Sequence, residues 1–363
     1  MAEVARADVE TALKQVVDPY LEQDLVSAKA VKNVAVNGGE VTVDLVLGYP
    51  ARGSKEALAA DVRAKVAALP GVENVAVNVS WKIETHGVQR GVKPLPGIKN
   101  IVAVASGKGG VGKSTVAVNL ALALAAEGAR TGILDADIYG PSQPRMLGVR
   151  RKPESKDGKT IEPIEAHGLQ SMSIGYLIDE ETPMVWRGPM VTQALEQLLK
   201  DTNWRDLDYL VIDLPPGTGD RQLTMAQKVP VSGAVIVTTP QEIALLDARK
   251  GLKMFEKVDV PVLGVVENMS THICSNCGHE EHIFGSGGGS RMARESGVTL
   301  LGSVPLDIRI REEADGGKPT VVAEPESRIA QIYRDIARRV AGRLALQRKD
   351  FSAKFPNIVV QQT

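Results

Sequence analysis

Residues 101–115 read Ile-Val-Ala-Val-Ala-Ser-Gly-Lys-Gly-Gly-Val-Gly-Lys-Ser-Thr. An apolar run stops at Ser106, a loop carrying Gly107, Gly109, Gly110 and Gly112 follows, and helix-forming residues begin at Lys113. Strand, glycine loop and helix in that order make a phosphate cradle, and Gly107, Gly112, Lys113 and Ser114 fit P-loop spacing. Glycines let backbone N–H groups converge on phosphate oxygens, and the helix N-terminus adds the positive end of its dipole. Lys113 is placed to meet the β and γ phosphates of a nucleotide, and the Ser114 hydroxyl to hold Mg²⁺.

Downstream, short apolar runs alternate with helical segments. The expected strands are Ile101–Ser106, Thr131–Asp135, Tyr209–Leu214, Ala234–Thr238, Val262–Asn268 and Leu300–Val304. Several are apolar almost throughout, as strands covered on both faces should be. The helix after the P-loop places Val116, Leu120 and Leu124 on one side and ends at Gly128. The expected fold class is α/β, a doubly wound and mostly parallel sheet. Ligands of such sheets gather at the strands' carboxyl ends. Two strands end in acids there: Leu134-Asp135-Ala136-Asp137, and Ile212-Asp213 running into Leu214-Pro215-Pro216-Gly217-Thr218-Gly219-Asp220. Asp213 has the context of a Walker-B carboxylate anchoring Mg²⁺ through water, and Asp137 could orient the attacking water. A strand-end acid can equally be a helix cap.

Upstream, residues 1–83 read as a separate small α+β domain in the order αββαβ. A helix carries Val9, Leu13 and Val16, and Asn37-Gly38 joins two alternating strands. Ser54 can cap a second helix running to about Leu69, and Val75, Val77 and Val79 mark a third strand. Val-Lys-Asn-Val-Ala-Val-Asn at 31–37 is echoed at 72–78, which two half-buried strands of one sheet would share without being a repeat. Residues 84–99, with scattered glycine and proline and no periodicity, read as a linker, and 100–349 as the nucleotide domain. Near the end, Ile329, Ile332, Ile336, Val340 and Leu344 follow helical spacing among arginines at 328, 334, 338, 339, 343 and 348. Such a helix can lie on a membrane, but more often its apolar face covers a sheet and its charges face solvent. Residues 350–363 read as an extension.

A chain of 363 residues suits about two domains. A formal net charge of -1 gives no global field towards nucleic acid or anionic lipid, so neither partner is expected. No secretory signal and no run of 18 apolar residues is present, and a cytoplasmic location is expected. The two cysteines, Cys274 and Cys277, make no disulfide framework and suit metal or redox chemistry. Iron-sulfur clusters of the common types need four thiolates, which a two-fold dimer of this chain would supply. Zinc held with His279 and His282, a redox dithiol and structural thiols are the competing readings.

Gly107-Lys108-Gly109-Gly110-Val111-Gly112-Lys113-Ser114 resembles the deviant Walker A of the MinD/ParA class of ATPases. Asp135-Ala136-Asp137-Ile138-Tyr139-Gly140-Pro141-Ser142 and Cys274-Ser275-Asn276-Cys277-Gly278-His279 narrow the resemblance to the Mrp/ApbC iron-sulfur cluster carrier ATPases, from about Pro94 to about Leu346. The small domain resembles one shared with other iron-sulfur assembly factors, without the reactive cysteine that some of them have. The resemblance implies an ATP-binding and ATP-hydrolysing homodimer that carries a [4Fe-4S] cluster at its interface and passes it to apo-proteins, with an assembly scaffold as a further partner. It implies that Lys108 crosses the dimer interface to the partner's phosphates. Residues 107–115, including Thr115, would contact the nucleotide, Asn268 the adenine, and Pro305 would lie nearby. Two other readings remain: a MinD/ParA-like positioning ATPase acting on DNA or membrane, which leaves the cysteines unexplained, and a nucleotide-gated electron donor.

Overall fold

A computed structural model describes residues 4–89, 91–178, 188–274 and 276–347. The expected extension at 350–363 and the arginine at 348 lie outside the described residues. The first part runs α1 (Arg6–Leu13), β1 (Val17–Asp18), β2 (Gln23–Asp24), β3 (Val31–Asn37), β4 (Glu40–Leu47), α2 (Lys55–Ala67) and β5 (Asn74–Trp81). After it come β6 (Ile98–Ala105), α3 (Lys113–Ala126), β7 (Thr131–Asp135), α4 (Gln143–Met146), β8 (Ile164–Ala166) and β9 (Leu169–Ser173). Next are α5 (Gly188–Lys200), β10 (Leu207–Asp213), α6 (Asp220–Lys228), β11 (Gly233–Thr238), α7 (Glu242–Lys257) and β12 (Val262–Glu267). The chain closes with β13 (His272–Ile273), β14 (Glu280–Glu281), α8 (Gly288–Glu295), β15 (Leu300–Ser303), α9 (Ile308–Asp315), α10 (Thr320–Ala323) and α11 (Arg328–Ala345).

The large sheet has eight strands in the order β15-β12-β11-β6-β10-β7-β9-β8, all parallel except the last pair. Strand β6 lies between β11 and β10, where the winding reverses, so the P-loop leaves the sheet at its switch point. The six expected strands are all present. β8 and β9 were not foreseen; they are short, and a single antiparallel edge strand carries little pattern.

In the smaller sheet, β4 pairs antiparallel with β3 and parallel with β5. The two echoed segments therefore flank one strand, whose Val41, Val43, Leu45 and Leu47 are buried in alternation. The β3–β4 turn sits at Gly38-Gly39 rather than Asn37-Gly38, because Asn37 still pairs with Glu40. Ser54 occupies the N-cap of α2 without a side-chain cap bond, and Val16 is buried beyond the end of α1.

Helix α3 is buried on every side rather than on one stripe: Val116, Val118, Leu120, Leu122 and Leu124 are all inside. The sheet covers one flank and α11 the other. Helix α11 accordingly departs from the expected solvated basic face. Arg338 is buried, and its Nη2 donates to Glu127 Oε1 at 2.7 Å, as does Arg334 Nε at 2.7 Å. Glu127, the C-cap of α3, also accepts Gly53 N–H on Oε2 at 2.9 Å, while its carbonyl accepts Arg52 N–H at 3.0 Å. Burial pushes this carboxyl up, but Arg338, the Gly53 amide and Arg334 outweigh it and leave it below the usual range. The small sheet is thus latched onto the end of the phosphate-binding helix. Residues 84–99 are anchored as well, with Gln89 Nε2 donating to the Ala226 carbonyl at 2.7 Å and Gln89 Oε1 accepting Val231 N–H at 3.0 Å.

Candidate functional site

Beyond β6 the chain turns under Ser106, whose Oγ donates to the Lys108 carbonyl at 2.9 Å. Gly107 runs against α7, where an added Cβ would lie 2.1 Å from the Asp247 carbonyl oxygen. Gly112 caps α3 at φ +79°, a left-handed conformation, and a Cβ there would fall 2.2 Å from Asn268 Nδ2. Both glycines are required by close approach. Asn268, just past β12, donates from Nδ2 to the Val111 carbonyl at 2.9 Å and so braces the loop from outside. The next residue, Met269, has φ +55°, in the left-handed region that non-glycine residues seldom adopt, and it turns the chain sharply at the end of β12.

Sheet register brings the acids together. Asp213 pairs with Asp135 across β10 and β7, and Asp135 with Ser173 across β7 and β9. Lys113, 6% exposed, contacts Asp213 Oδ1 and lies 3.1 Å from Ser114 Oγ. The other Asp213 oxygen accepts Gln143 Nε2 at 2.8 Å. Asp135 Oδ2 accepts the N–H groups of Ser142 (2.9 Å) and Gln143 (3.0 Å) and the hydroxyl of Ser173 (3.2 Å). Burial, reinforced by Asp213 alongside, pushes the Asp135 carboxyl up to about 7. Asp137 is half-buried and also raised by burial, which Lys113 partly offsets. It opens on a cleft of about 420 Å³ lined by Tyr139, Gly140, Pro215, Pro216 and Gln222.

Asp135 gives a pH prediction. Its folded pKa lies above the unfolded value near 4. Its contribution to stability is therefore fully present below about pH 4 and lost as pH rises through about 7. Urea unfolding of the ligand-free protein between pH 5 and 8 should show this loss, and Asp135→Asn should flatten it.

Hard oxygen donors at Ser114 and Asp213 suit Mg²⁺, which takes few protein ligands and keeps its waters. Lys108 is exposed at the rim of the loop, free of the buried cluster. Pro305 follows Val304, whose carbonyl accepts Ser270 N–H at 3.0 Å, so the Pro305 turn and Asn268 are neighbours.

The cysteines lie on a hairpin, β13–β14, with His272 opposite Glu281 and Ile273 opposite Glu280. Its tip closes through Cys274 N–H to the His279 carbonyl and Gly278 N–H to the Cys274 carbonyl, each 2.9 Å. The backbone N–H groups of Cys277 and Asn276 lower the Cys274 thiol, favouring the thiolate that binds metal. Cys277 is exposed. His272 Nδ1 lies 3.2 Å from the Leu306 carbonyl and His282 Nδ1 3.3 Å from the Ser270 carbonyl, stitching the hairpin to the Pro305 turn and the end of β12. Among the described residues no three His, Cys, Asp or Glu side chains gather as a metal site, so the zinc reading finds no assembled site within one chain.

Comparison with known proteins decides the family. Residues 97–341 match the family described as NUBPL iron-transfer P-loop NTPase, and residues 6–79 match the iron-sulfur cluster assembly protein family. This chain belongs to the iron-sulfur cluster carrier family of P-loop NTPases. It is 53% identical over 346 residues to the iron-sulfur cluster carrier protein of Escherichia coli K12, covering 95% of this chain and 94% of the relative. With the carrier of Pseudomonas fragi it shares 63% identity over 271 residues, 74% of this chain and 94% of that one. The mouse iron-sulfur cluster transfer protein NUBPL is 52% identical over 69% of this chain and 80% of its own length. A nucleotide-binding protein from Archaeoglobus fulgidus, solved in complex with ADP, superposes with a TM-score of 0.56 at 39% identity, covering 64% of this chain and 90% of that one. The cell division ATPase MinD of Pyrococcus furiosus shares the fold, with a TM-score of 0.51, 23% identity and coverage of 66% and 98%.

Within this carrier family chain, two site features escaped sequence reading. Gln143 reaches Asp213 from 70 residues away, and the brace from Asn268 to Val111 spans 157. Such amides carry no periodic signal; only the Gly-Pro-Ser turn before Gln143 marked the place. Among the described residues no helix is long and apolar enough to cross a membrane.

Proposed function

We propose that this chain is an ATP-hydrolysing carrier that holds a [4Fe-4S] cluster between two copies and delivers it to apo iron-sulfur proteins. The backbone of residues 107–115 cradles the phosphates, and Lys113 exchanges Asp213 for the β and γ oxygens. Ser114, and Asp213 through water, hold Mg²⁺, which when bound neutralises phosphate charge. Asp137 orients the attacking water, and Lys108 reaches the phosphates bound by the partner copy. Asn268 and the Pro305 turn contact the base. Cys274 and Cys277 supply two thiolates per chain, so the cargo requires the homodimer. Residues 1–83 serve as an accessory domain, joined by 84–99 to the ATPase domain at 100–349, for exchange with an assembly scaffold.

The observation that carries this reading is the hairpin's position. The hairpin that carries the cysteines is tied through His272 and His282 to the Leu306 and Ser270 carbonyls, beside the residue that braces the P-loop, which gives a phosphate-dependent shift of that strand end a route to the thiols. The loop 215–220 offers a second route, since Gly217 N–H donates to the Ser106 carbonyl at 2.9 Å. Anaerobic reconstitution with iron and sulfide is the test. The wild type should turn brown with about four irons per two chains. The double variant Cys274→Ser, Cys277→Ser should stay colourless while keeping ADP affinity. Iron retained by that variant would refute the assignment.

A further inference from the structure

The amide of Gln143, 1% exposed, is wedged between two pure acceptors. Its Nε2 donates to Asp213 Oδ2 at 2.8 Å and to the Ser114 carbonyl at 3.1 Å. Neither neighbour has a hydrogen to give when Asp213 is ionised, so the amide nitrogen must face them and Oε1 must face away. Oε1 is buried there and accepts no hydrogen bond from a described residue; Ser142 Oγ, one residue earlier, is buried without a partner as well. Buried amide oxygens are rarely left unpaired, and an exception calls for an explanation.

We propose that Gln143 is a positioning residue for the metal. One end of its amide fixes the Asp213 carboxylate against the backbone of Ser114, and the other, Oε1, accepts a hydrogen bond from a water of the Mg²⁺ shell. The inference rests on Ser114 and Asp213 holding that ion. Its chemistry is consistent with the ion: Mg²⁺ keeps several waters, each a strong donor, and leaves a neutral amide oxygen well suited as their acceptor. Asp135 sets the reach, because its Oδ2 accepts the Gln143 backbone N–H at 3.0 Å and pins the first turn of α4. The result is a chain of contacts from β7 through Gln143 to β10 and the start of α3. It holds the metal's carboxylate still when Lys113 turns to phosphate.

The test uses Mn²⁺ as the probe, counted by its electron paramagnetic resonance signal in the presence of saturating ADP. Full-length Gln143→Met, close in shape and without the amide, should weaken Mn²⁺ binding by about tenfold or more, the usual effect of losing such a support. Its ADP affinity in EDTA should stay within about twofold of wild type, a split that general damage to the fold would not produce. Gln143→Asn retracts the amide by one methylene without burying an apolar group, serves if the methionine variant does not fold, and should show the same split. Mn²⁺ affinity unchanged in both variants, or equal losses with and without metal, would overturn the proposal. Lys113→Ala is the control on the nucleotide site itself: if it binds ADP as wild type does, the phosphate-site reading fails independently of Gln143.

Discussion

Lys113→Ala is expected to lower ATP hydrolysis by about 10²–10³-fold, the usual effect of removing a preorganised donor from developing charge in a water-poor site. Phosphate release at saturating ATP measures it, and residual activity within tenfold of wild type would contradict the role. The loss has a second component. Without the ammonium, Asp213 and Asp135 lie side by side with no cation between them and the phosphates. Asp135 then holds its proton more tightly, so the variant should be least stable relative to wild type at alkaline pH and recover as pH falls. Lys108→Ala separates the two roles of the loop. Its side chain is exposed, so ADP affinity should stay within about twofold, while hydrolysis should fall if Lys108 reaches a second copy's phosphates as proposed.

Glu127→Ala is expected to reduce folding stability by about 3–5 kcal/mol, as breaking a buried ion pair does when one partner is left behind. Two guanidiniums, of which Arg338 is 5% exposed, would lose their shared carboxylate, and Gly53 N–H would lose its acceptor. Urea unfolding at pH 7 measures the loss, and a change below about 1 kcal/mol would show the network to be incidental. The pH dependence has the opposite sign to that of Asp135. The depressed Glu127 carboxyl contributes stability above the unfolded carboxylate value, lost as pH falls through its folded value. Glu127→Gln keeps an acceptor for Gly53 and should lose less than alanine at neutral pH, though neither variant should retain the acid-dependent component.

The parts of this protein legible in its sequence are those with local chemistry. Residues 101–115 carry strand, loop and helix in one contiguous stretch, and Asp213 stands at the end of an unbroken apolar run. Cys274 and Cys277 announce themselves by spacing. What stayed hidden is pairing at long range. Glu127 meets Arg338 across 211 residues, and no periodicity in α3 or α11 distinguishes those residues from solvated surface charges. The helical stripe in α3 also misled: Val118 and Leu122 lie off the stripe yet are buried, because α11 covers the flank that a surface helix would expose. The edge strand β8 is only three residues long, and its neighbour β9, Leu-Gln-Ser-Met-Ser, lacks the apolar run that marks the other parallel strands.

Helix α3 spans about 21 Å at 1.5 Å per residue. Lys113 stands at one end, and Glu127, with Gly128 pressed against Trp81 of the small sheet, at the other. Helix α11 seals the same junction, with Gly342 against the Tyr20 carbonyl and Gly48 against Ala345. The stretch 84–99, which reads as a linker, is therefore not the only tie between the two parts. A protein trimmed there would lose the Gly53 and Arg52 N–H groups from Glu127 and the Trp81 ring from Gly128, and would open the Glu127–Arg338 pair to water. The two sequence modules share a buried junction, and a chimera exchanging either half inherits the task of rebuilding it.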